Sequence, residues 1–124
     1  MGKRILVVED QEDNRRILRD LLTSVGYEII EATTGEEGVA LAVTGHPDLI
    51  LMDIQLPGID GYEATRRVRA HPALRQVPII AVTSYALSGD DVKAMEAGCN
   101  DYIPKPYSPR ALLAKIRQYL PQAV

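Results

Sequence analysis

Short apolar runs alternate with longer amphipathic segments along the chain. The runs contain many β-branched residues and few charges, which is typical of strands buried on both faces of a parallel sheet. They span residues 4–9, 27–32, 49–53, 77–83 and 101–104. We therefore predict five short strands. The most apolar of them, at residues 49–52, runs directly into a lone carboxylate, Asp53, and a turn follows at residues 56–58.

Each apolar run is followed by a segment in which apolar residues recur at helical spacing. In the first segment they form one stripe that ends before a glycine, and the stripe consists of Ile17, Leu18, Leu21, Leu22 and Val25. The other segments begin at residue types that commonly cap helices, namely Thr34, Asp60, Ser88 and Ser108. The predicted helices cover residues 14–25, 34–45, 60–71, 88–98 and 108–120.

Strands that alternate with helices of about 10–15 residues predict βαβ units and a parallel sheet. Right-handed crossovers then place helices on both faces of that sheet. The expected fold class is α/β, a doubly wound (βα)5 sandwich of three layers. With 124 residues, we expect one domain that spans residues 1–124.

Composition narrows the class of partner. A net charge of -3 does not favour nucleic acid or an acidic membrane surface. The apolar runs are too short to span a bilayer and the N-terminus lacks a signal peptide, so we expect a cytoplasmic protein.

The one cysteine, Cys99, excludes an internal disulfide, and we expect it to be a small buried side chain after a helix end.

The carboxyl ends of all strands in a parallel sheet share one rim, and chemically capable residues follow four of the predicted strands. These residues are Glu9, Asp10, Asp53, Thr83 and Lys105. Three carboxylates within about 5 Å repel by roughly 3 kcal/mol per pair at an effective dielectric near 20. A Mg²⁺ ion relieves such repulsion, and a carboxylate can attack phosphorus to form an aspartyl phosphate. A lysine and a hydroxyl would support such a group.

Each of these residues also has a simpler explanation. Asp53 could begin a turn, Asp10 could cap the first helix, Thr83 could simply end a strand, and Lys105 could be an exposed loop residue. Any one of these explanations is plausible alone. It is not plausible that all of these explanations hold at once for residues on one rim, so we favour a chemical site.

The sequence resembles the receiver domains of bacterial two-component response regulators over essentially its whole length. Four segments carry the resemblance: ILVVED at residues 5–10, DLILMDIQLPGIDG at 48–61, PIIAVTSYA at 78–86 and GCNDYIPKP at 98–106. The second and third segments are most similar to single-domain regulators of the DivK type. The resemblance implies a CheY-like fold with strand order 2-1-3-4-5.

The resemblance also implies the roles of the acidic residues. Asp53 would accept a phosphoryl group from a phosphohistidine, on a histidine kinase or a histidine phosphotransfer protein. Asp10 and Asp53 would ligate Mg²⁺ directly, and Gln55 would contribute its backbone carbonyl. Glu9 stands where the family usually has Asp and would act on the metal through water.

Further residues would support or transmit the chemistry. Lys105 would pair with the acyl phosphate, and its bond to Pro106 would be cis. Thr83 and Tyr102 match the pair that reports phosphorylation to the face formed by the fourth helix, fifth strand and fifth helix, where a downstream protein would bind. Positive charge on the first helix, at residues 15, 16 and 19, could steer the phosphodonor to the surface around that helix.

Three alternatives remain at this stage. A Mg²⁺-dependent phosphohydrolase would place a second acid two residues after the nucleophile, but Gln55 stands there, so we expect no enzymatic turnover. A DNA-binding regulator would need a further domain, and the arginines at 66, 67 and 69 fit a solvated helix face. A receiver excised from a hybrid histidine kinase stays open, although the Met ahead of the first strand favours a complete small protein.

Overall fold

The computed structural model describes residues 2–84 and 89–120. Within them, five strands form one sheet that is flanked by five α-helices and a short 3₁₀ helix, Pro72–Leu74. The strands are β1 (Arg4–Val8), β2 (Glu28–Ala32), β3 (Leu49–Asp53), β4 (Ile79–Thr83) and β5 (Asp101–Pro104). The helices are α1 (Glu12–Ser24), α2 (Gly35–Gly45), α3 (Gly61–Arg69), α4 (Asp90–Ala97) and α5 (Pro109–Tyr119).

The sheet is parallel throughout and its strand order is β2-β1-β3-β4-β5. This confirms the predicted α/β fold class and the order that the resemblance implied. The order reverses at β1, so that the chain winds outward from β1 in one direction and from β3 in the other. Ligand sites of open α/β sheets lie at such a reversal, beyond the carboxyl ends of the strands.

The apolar runs are continuous because both faces of the sheet are covered. Alternate residues of β1 and β3 point into two separate cores: Leu6 and Ile50 pack with helices α2, α3 and α4, whereas Ile5 and Leu49 pack with α1 and α5. Every residue of β3, including Asp53, is buried. Complete burial of β3 means that a charge at its end needs a dedicated partner.

Most helix ends follow the predicted signals. Thr34, Asp60 and Ser108 each accept a hydrogen bond from the backbone N–H three residues on. Ser88, the expected cap of the fourth helix, lies outside the described residues, and the N-cap of α4 is Gly89. No helix in residues 2–84 and 89–120 is long and apolar enough to cross a membrane.

Two predictions about side-chain burial have different outcomes. Cys99 is buried, as expected, 3.7 Å from Thr65 Oγ1, and burial raises the pKa of its thiol. The predicted apolar stripe of the first helix is buried only in part, because the exposed fraction of Ile17, one of its members, is 58%. Helix α1 buries the line through Leu18 and Leu22, and Ile17 lies to one side of that line.

The predicted solvated arginine face on α3 is only partly correct. Arg69, unlike its two exposed neighbours, is half-buried and donates to main-chain oxygens of Gly98 (2.9 Å), Leu74 (2.7 Å) and Val77 (2.7 Å). Its other nitrogen donates to Asn100 Oδ1 at 2.8 Å, and the same oxygen accepts from the first residue of β4 at 2.9 Å. Arg69 therefore joins α3 to the starts of β4 and β5.

We expect Arg69→Lys to lower the free energy of unfolding by about 2 kcal/mol, because one ammonium cannot replace a planar guanidinium that serves five acceptors. Denaturant unfolding followed by circular dichroism measures this. The matched control is Arg66→Lys on the same helix, where the exposed arginine pairs with Glu63 of the preceding turn. Equal stability losses in the two variants would contradict the role assigned to Arg69.

Candidate functional site

Three carboxylates meet at the reversal point of the sheet. Glu9 and Asp10 follow β1, Asp53 ends β3, and one oxygen from each lies within 4.8 Å of the others. The register explains the meeting, because Val8 pairs with Met52 and the next residue on each strand is an acid. Glu9 and Asp53 are buried, whereas Asp10 is partly exposed.

One ammonium group serves the two buried carboxylates. Lys105 Nζ lies 3.2 Å from Asp53 Oδ2 and 3.3 Å from Glu9 Oε1. Burial alone would lower the pKa of Lys105, but the charges of Asp53 and Glu9 and their hydrogen bonds outweigh burial and raise it. Lys105 is therefore a fixed positive charge. Its peptide bond to Pro106 is cis, as the resemblance implied.

Backbone groups hold the remaining oxygens of the two buried acids. Asp53 Oδ1 accepts from the N–H of Gln55, and Glu9 Oε2 accepts from the N–H of Gln11, both at 3.0 Å. Each carboxylate is thus oriented from two sides. The backbone carbonyl of Gln55 was expected to bind metal, and that role stays a prediction.

Asp10 does not act as the cap of α1, which was the simpler explanation for it. The N-cap of that helix is Gln11, whose side chain makes no capping bond. The Asp10 carboxylate has a long contact of 3.5 Å with Gln11 Nε2 and points to the same place as the other two acids. It is therefore available to a ligand.

The chemistry of this oxygen set fits a hard divalent cation. Mg²⁺ is typically bound by one or two carboxylates together with waters and phosphate oxygens. A glycine lets the chain pass close to the strand end, because a Cβ on Gly61 would collide with the backbone oxygen of Asp53. The loop from β3 to α3 is thereby held against the strand end, and Gly61 N–H donates to Ile54 O at 2.9 Å.

Thr83 lies on β4 and Tyr102 lies on β5, the two strands that follow β3 in the sheet. Thr83 ends β4, is 1% exposed, and its carbonyl accepts from Lys105 N–H at 2.7 Å. Tyr102 pairs with Ala81, two residues before Thr83, so the two side chains lie on the same face of the sheet. Tyr102 is partly buried. Thr83 thus ends the strand that lies between β3, which ends in Asp53, and β5, which carries Tyr102.

Two of the three first-helix arginines are engaged within the protein, and steering of the phosphodonor by their charge stays a prediction. Arg19 binds both oxygens of Glu31 at 2.6 and 2.8 Å. Arg15 donates to the backbone oxygens of Glu9 (2.9 Å) and Asp10 (3.1 Å) and lies 3.5 Å from Glu31. No local sequence signal indicates these contacts, because Glu31 comes from β2. Only the outermost arginine of the three, at position 16, is mostly exposed.

One surface depression adjoins the site, and another is lined by none of the three acids or Lys105. The first, of about 530 Å³, adjoins the shared ammonium and is lined by Asn14, Ile17, Ser84, Lys105, Pro106 and Tyr107. The second, of about 490 Å³, lies between α4 and β5, and its lining includes Tyr102 and the exposed apolar residues Val92 and Met95. The sequence did not predict the first depression, because helical spacing does not show that Ile17 lies beside Lys105.

Comparisons with known proteins point to one family of domains. The family model of the response regulator receiver domain matches residues 5–117. The polar-differentiation response regulator DivK of Brucella ovis is 44% identical over 123 residues, which are 99% of this chain and 100% of the relative.

Two solved structures extend the comparison. The receiver domain of a Pseudomonas aeruginosa sensor histidine kinase, with a magnesium ion coordinated in its active-site cleft, has a TM-score of 0.91 and 39% identity, covering 98% of this chain and 100% of that one. The response regulator TrrA of Thermotoga maritima, in complex with Mg²⁺ and BeF, has a TM-score of 0.85 and 32% identity, covering 94% and 98%.

The crowding of the three acids predicts that the metal-free protein becomes more stable when one of the acids is neutralised. We expect Asp10→Asn to raise the free energy of unfolding by about 1 kcal/mol, since it removes repulsion that partial exposure has already weakened. Chemical unfolding in a chelating buffer measures the change. Asp13→Asn is the control, because it removes an exposed acid from the first turn of α1. A loss of stability in Asp10→Asn would show that the acids do not repel as described.

Proposed function

The chain belongs to the family of response regulator receiver domains, and on this premise we propose that Asp53 accepts a phosphoryl group from a phosphohistidine. The observation that carries the proposal is the position of Asp53: it is a buried carboxylate with two other acids within 4.8 Å and an ammonium at 3.2 Å. We treat residues 1–124 as one receiver domain.

The transfer is a displacement at phosphorus. A carboxylate oxygen of Asp53 forms the new O–P bond while the P–N bond to the donor imidazole breaks, and the imidazole leaves with the electron pair. Lys105 already faces the reacting carboxylate, so its ammonium stays beside the negative charge of the acyl phosphate. Thr83, at the end of the adjacent strand, would supply a hydroxyl to the same group.

Glu9, Asp10, Asp53 and the carbonyl of Gln55 would hold Mg²⁺, with Glu9 acting through water. The ion supplies positive charge that offsets the acids and the incoming phosphoryl oxygens. Two relatives whose solved structures contain magnesium support this assignment. Apart from holding the metal, the residues around Asp53 orient its carboxylate and keep its surroundings largely free of bulk water.

We propose signalling and no substrate turnover. A phosphohydrolase would need a proton donor two residues after the nucleophile, and Gln55, which stands there, cannot serve as one. An excised receiver from a hybrid histidine kinase remains the second candidate, because a kinase receiver is 39% identical over 98% of this chain. Both candidates use Asp53 in the same way and act in the cytoplasm.

The two depressions suggest separate partner surfaces. Upstream, a helical protein that carries the phosphohistidine would dock at the cleft beside Lys105, where Ile17 offers an exposed apolar contact. Downstream, a target protein would bind the face of α4, β5 and α5, where Val92 and Met95 are exposed by 57% and 53%. We propose neither nucleic acid nor a membrane as a partner.

The switch between these surfaces would run through Thr83 and Tyr102. Movement of the Thr83 hydroxyl towards a phosphoryl oxygen would open space on the same face of the sheet, where Tyr102 lies one strand away. An amphipathic tyrosine ring can then turn inward. Such a change shifts the population of two ring positions and so alters which partner the α4–β5–α5 face accepts.

Phosphorylation should occur on Asp53 alone. We expect wild-type protein incubated with acetyl phosphate and Mg²⁺ to gain one phosphate by intact mass, and Asp53→Asn to gain none, because an amide is not a nucleophile for phosphorus. Asp20→Asn, which alters an exposed acid on α1, should be modified like the wild type. A full phosphate on Asp53→Asn would contradict the assignment.

Loss of the Thr83 hydroxyl should separate modification from output. We expect Thr83→Ala to accept phosphate but to lose most of the phosphorylation-dependent gain in target binding, measured by pull-down with and without phosphodonor. Thr44→Ala, which removes an exposed hydroxyl from α2, is the control. If Thr83→Ala and wild type show equal binding gains, the signal does not pass through this pair.

A further inference from the structure

Arg15 contacts the backbone of the acidic segment and none of its carboxylates. Its Nη1 donates to Glu9 O at 2.9 Å and to Asp10 O at 3.1 Å, and the side chain is only 14% exposed. These are charged hydrogen bonds to two consecutive carbonyls, which are stronger than neutral ones. The two residues held in this way carry two of the three site carboxylates.

The other described contacts of this segment go through its amides and carboxylates and not through these two carbonyls. Glu9 N–H donates to Ala32 O at 3.0 Å, and Gln11 N–H donates to the Glu9 carboxylate. The side chain of Gln11, the N-cap of α1, makes no capping bond. Among the contacts that the structure describes, Arg15 is thus the side chain that ties the carbonyls of residues 9 and 10 to the helix.

Glu31 aligns Arg15 and offsets its charge. Glu31 lies on β2 and accepts both hydrogen bonds of Arg19 while it stands 3.5 Å from Arg15 Nε. The hydrogen bond from Arg19 holds the pKa of Glu31 below its usual range, so Glu31 stays charged at neutral pH. Because Glu31 carries one negative charge beside two arginines, it offsets part of the positive charge that Arg15 presents to a cation at the same site.

We propose that Arg15 is a positioning residue for the metal site: through the backbone carbonyls of Glu9 and Asp10 it holds their carboxylates where a divalent cation needs them. The inference rests on the proposed function, since it assigns a task towards Mg²⁺. Groups that orient metal ligands typically change metal affinity by about 10–100-fold when they are lost.

Arg15→Lys tests the proposal, because lysine keeps the charge but cannot bind both carbonyls and Glu31 from one planar group. Arg19→Lys is the matched control: it makes the same exchange on the same helix and faces the same Glu31, but it does not touch the acidic segment. The dissociation constant for Mg²⁺ comes from amide shifts in ¹⁵N NMR titrations of each folded protein. We expect an affinity about tenfold weaker in Arg15→Lys and nearly wild-type affinity in Arg19→Lys.

Equal affinities in the two variants would overturn the role of Arg15. Failure of wild-type protein to bind Mg²⁺ would instead overturn the proposed metal site itself, so the two failures are distinguishable. The metal-free stability of each variant is measured alongside, because positioning predicts a change in affinity beyond any change in stability.

A measurement on the wild type keeps the proposal testable if Arg15→Lys does not fold. During the Mg²⁺ titration, the Arg15 Nε–H signal should shift and saturate together with the amide of Asp10. The signal of Arg16, which pairs with Asp13 at the surface, should stay in place. An unmoved Arg15 signal in a protein whose Asp10 amide responds would contradict the inference.

Discussion

The shared ammonium of Lys105 is the interaction on which the site depends. Glu9 and Asp53 are buried at the ends of neighbouring strands, and a buried charge is costly unless an opposite charge lies close to it. Three carboxylates and one ammonium leave two negative charges at the rim. These two negative charges match the charge of a divalent cation, and binding of such a cation would explain why the fold keeps the acids so close together.

The sheet makes this arrangement possible. Lys105 follows β5 and reaches past the end of β4 to Asp53 on β3, so the order and register of three strands decide whether its stem is long enough. Arg69 contributes at the opposite edge, where it ties the starts of β4 and β5 to α3. Strands β4 and β5 thus connect the hydrogen bonds of Arg69 at one end of the sheet with Lys105 and the acids at the other end.

Local signals made much of this predictable. Continuous apolar runs indicated buried strands, caps such as Thr34 and Asp60 located helix starts, and parallel strands bring their final residues to one rim. These features depend on a few neighbouring residues, so sequence patterns report them. The strand order came from resemblance, because periodicity alone does not state which strand neighbours which.

Contacts between distant segments were not predictable in the same way. Helical spacing put Ile17 on the apolar stripe of α1, but the sheet covers only the line through Leu18 and Leu22. Arg15 looked like a surface charge because its partners, the carbonyls of residues 9 and 10 and a glutamate on β2, are set by tertiary structure. Every residue has a backbone carbonyl, so a sequence does not indicate which carbonyl accepts a hydrogen bond from a side chain.

The central claim is that Asp53 is the residue on which phosphate is carried, and borohydride trapping tests it most directly. An acyl phosphate is reduced to an alcohol whereas a free carboxylate is not, so the phosphorylated wild-type protein should yield homoserine at position 53 when its peptides are sequenced by mass spectrometry. Homoserine at position 10 or at another acid, with Asp53 intact, would contradict the account.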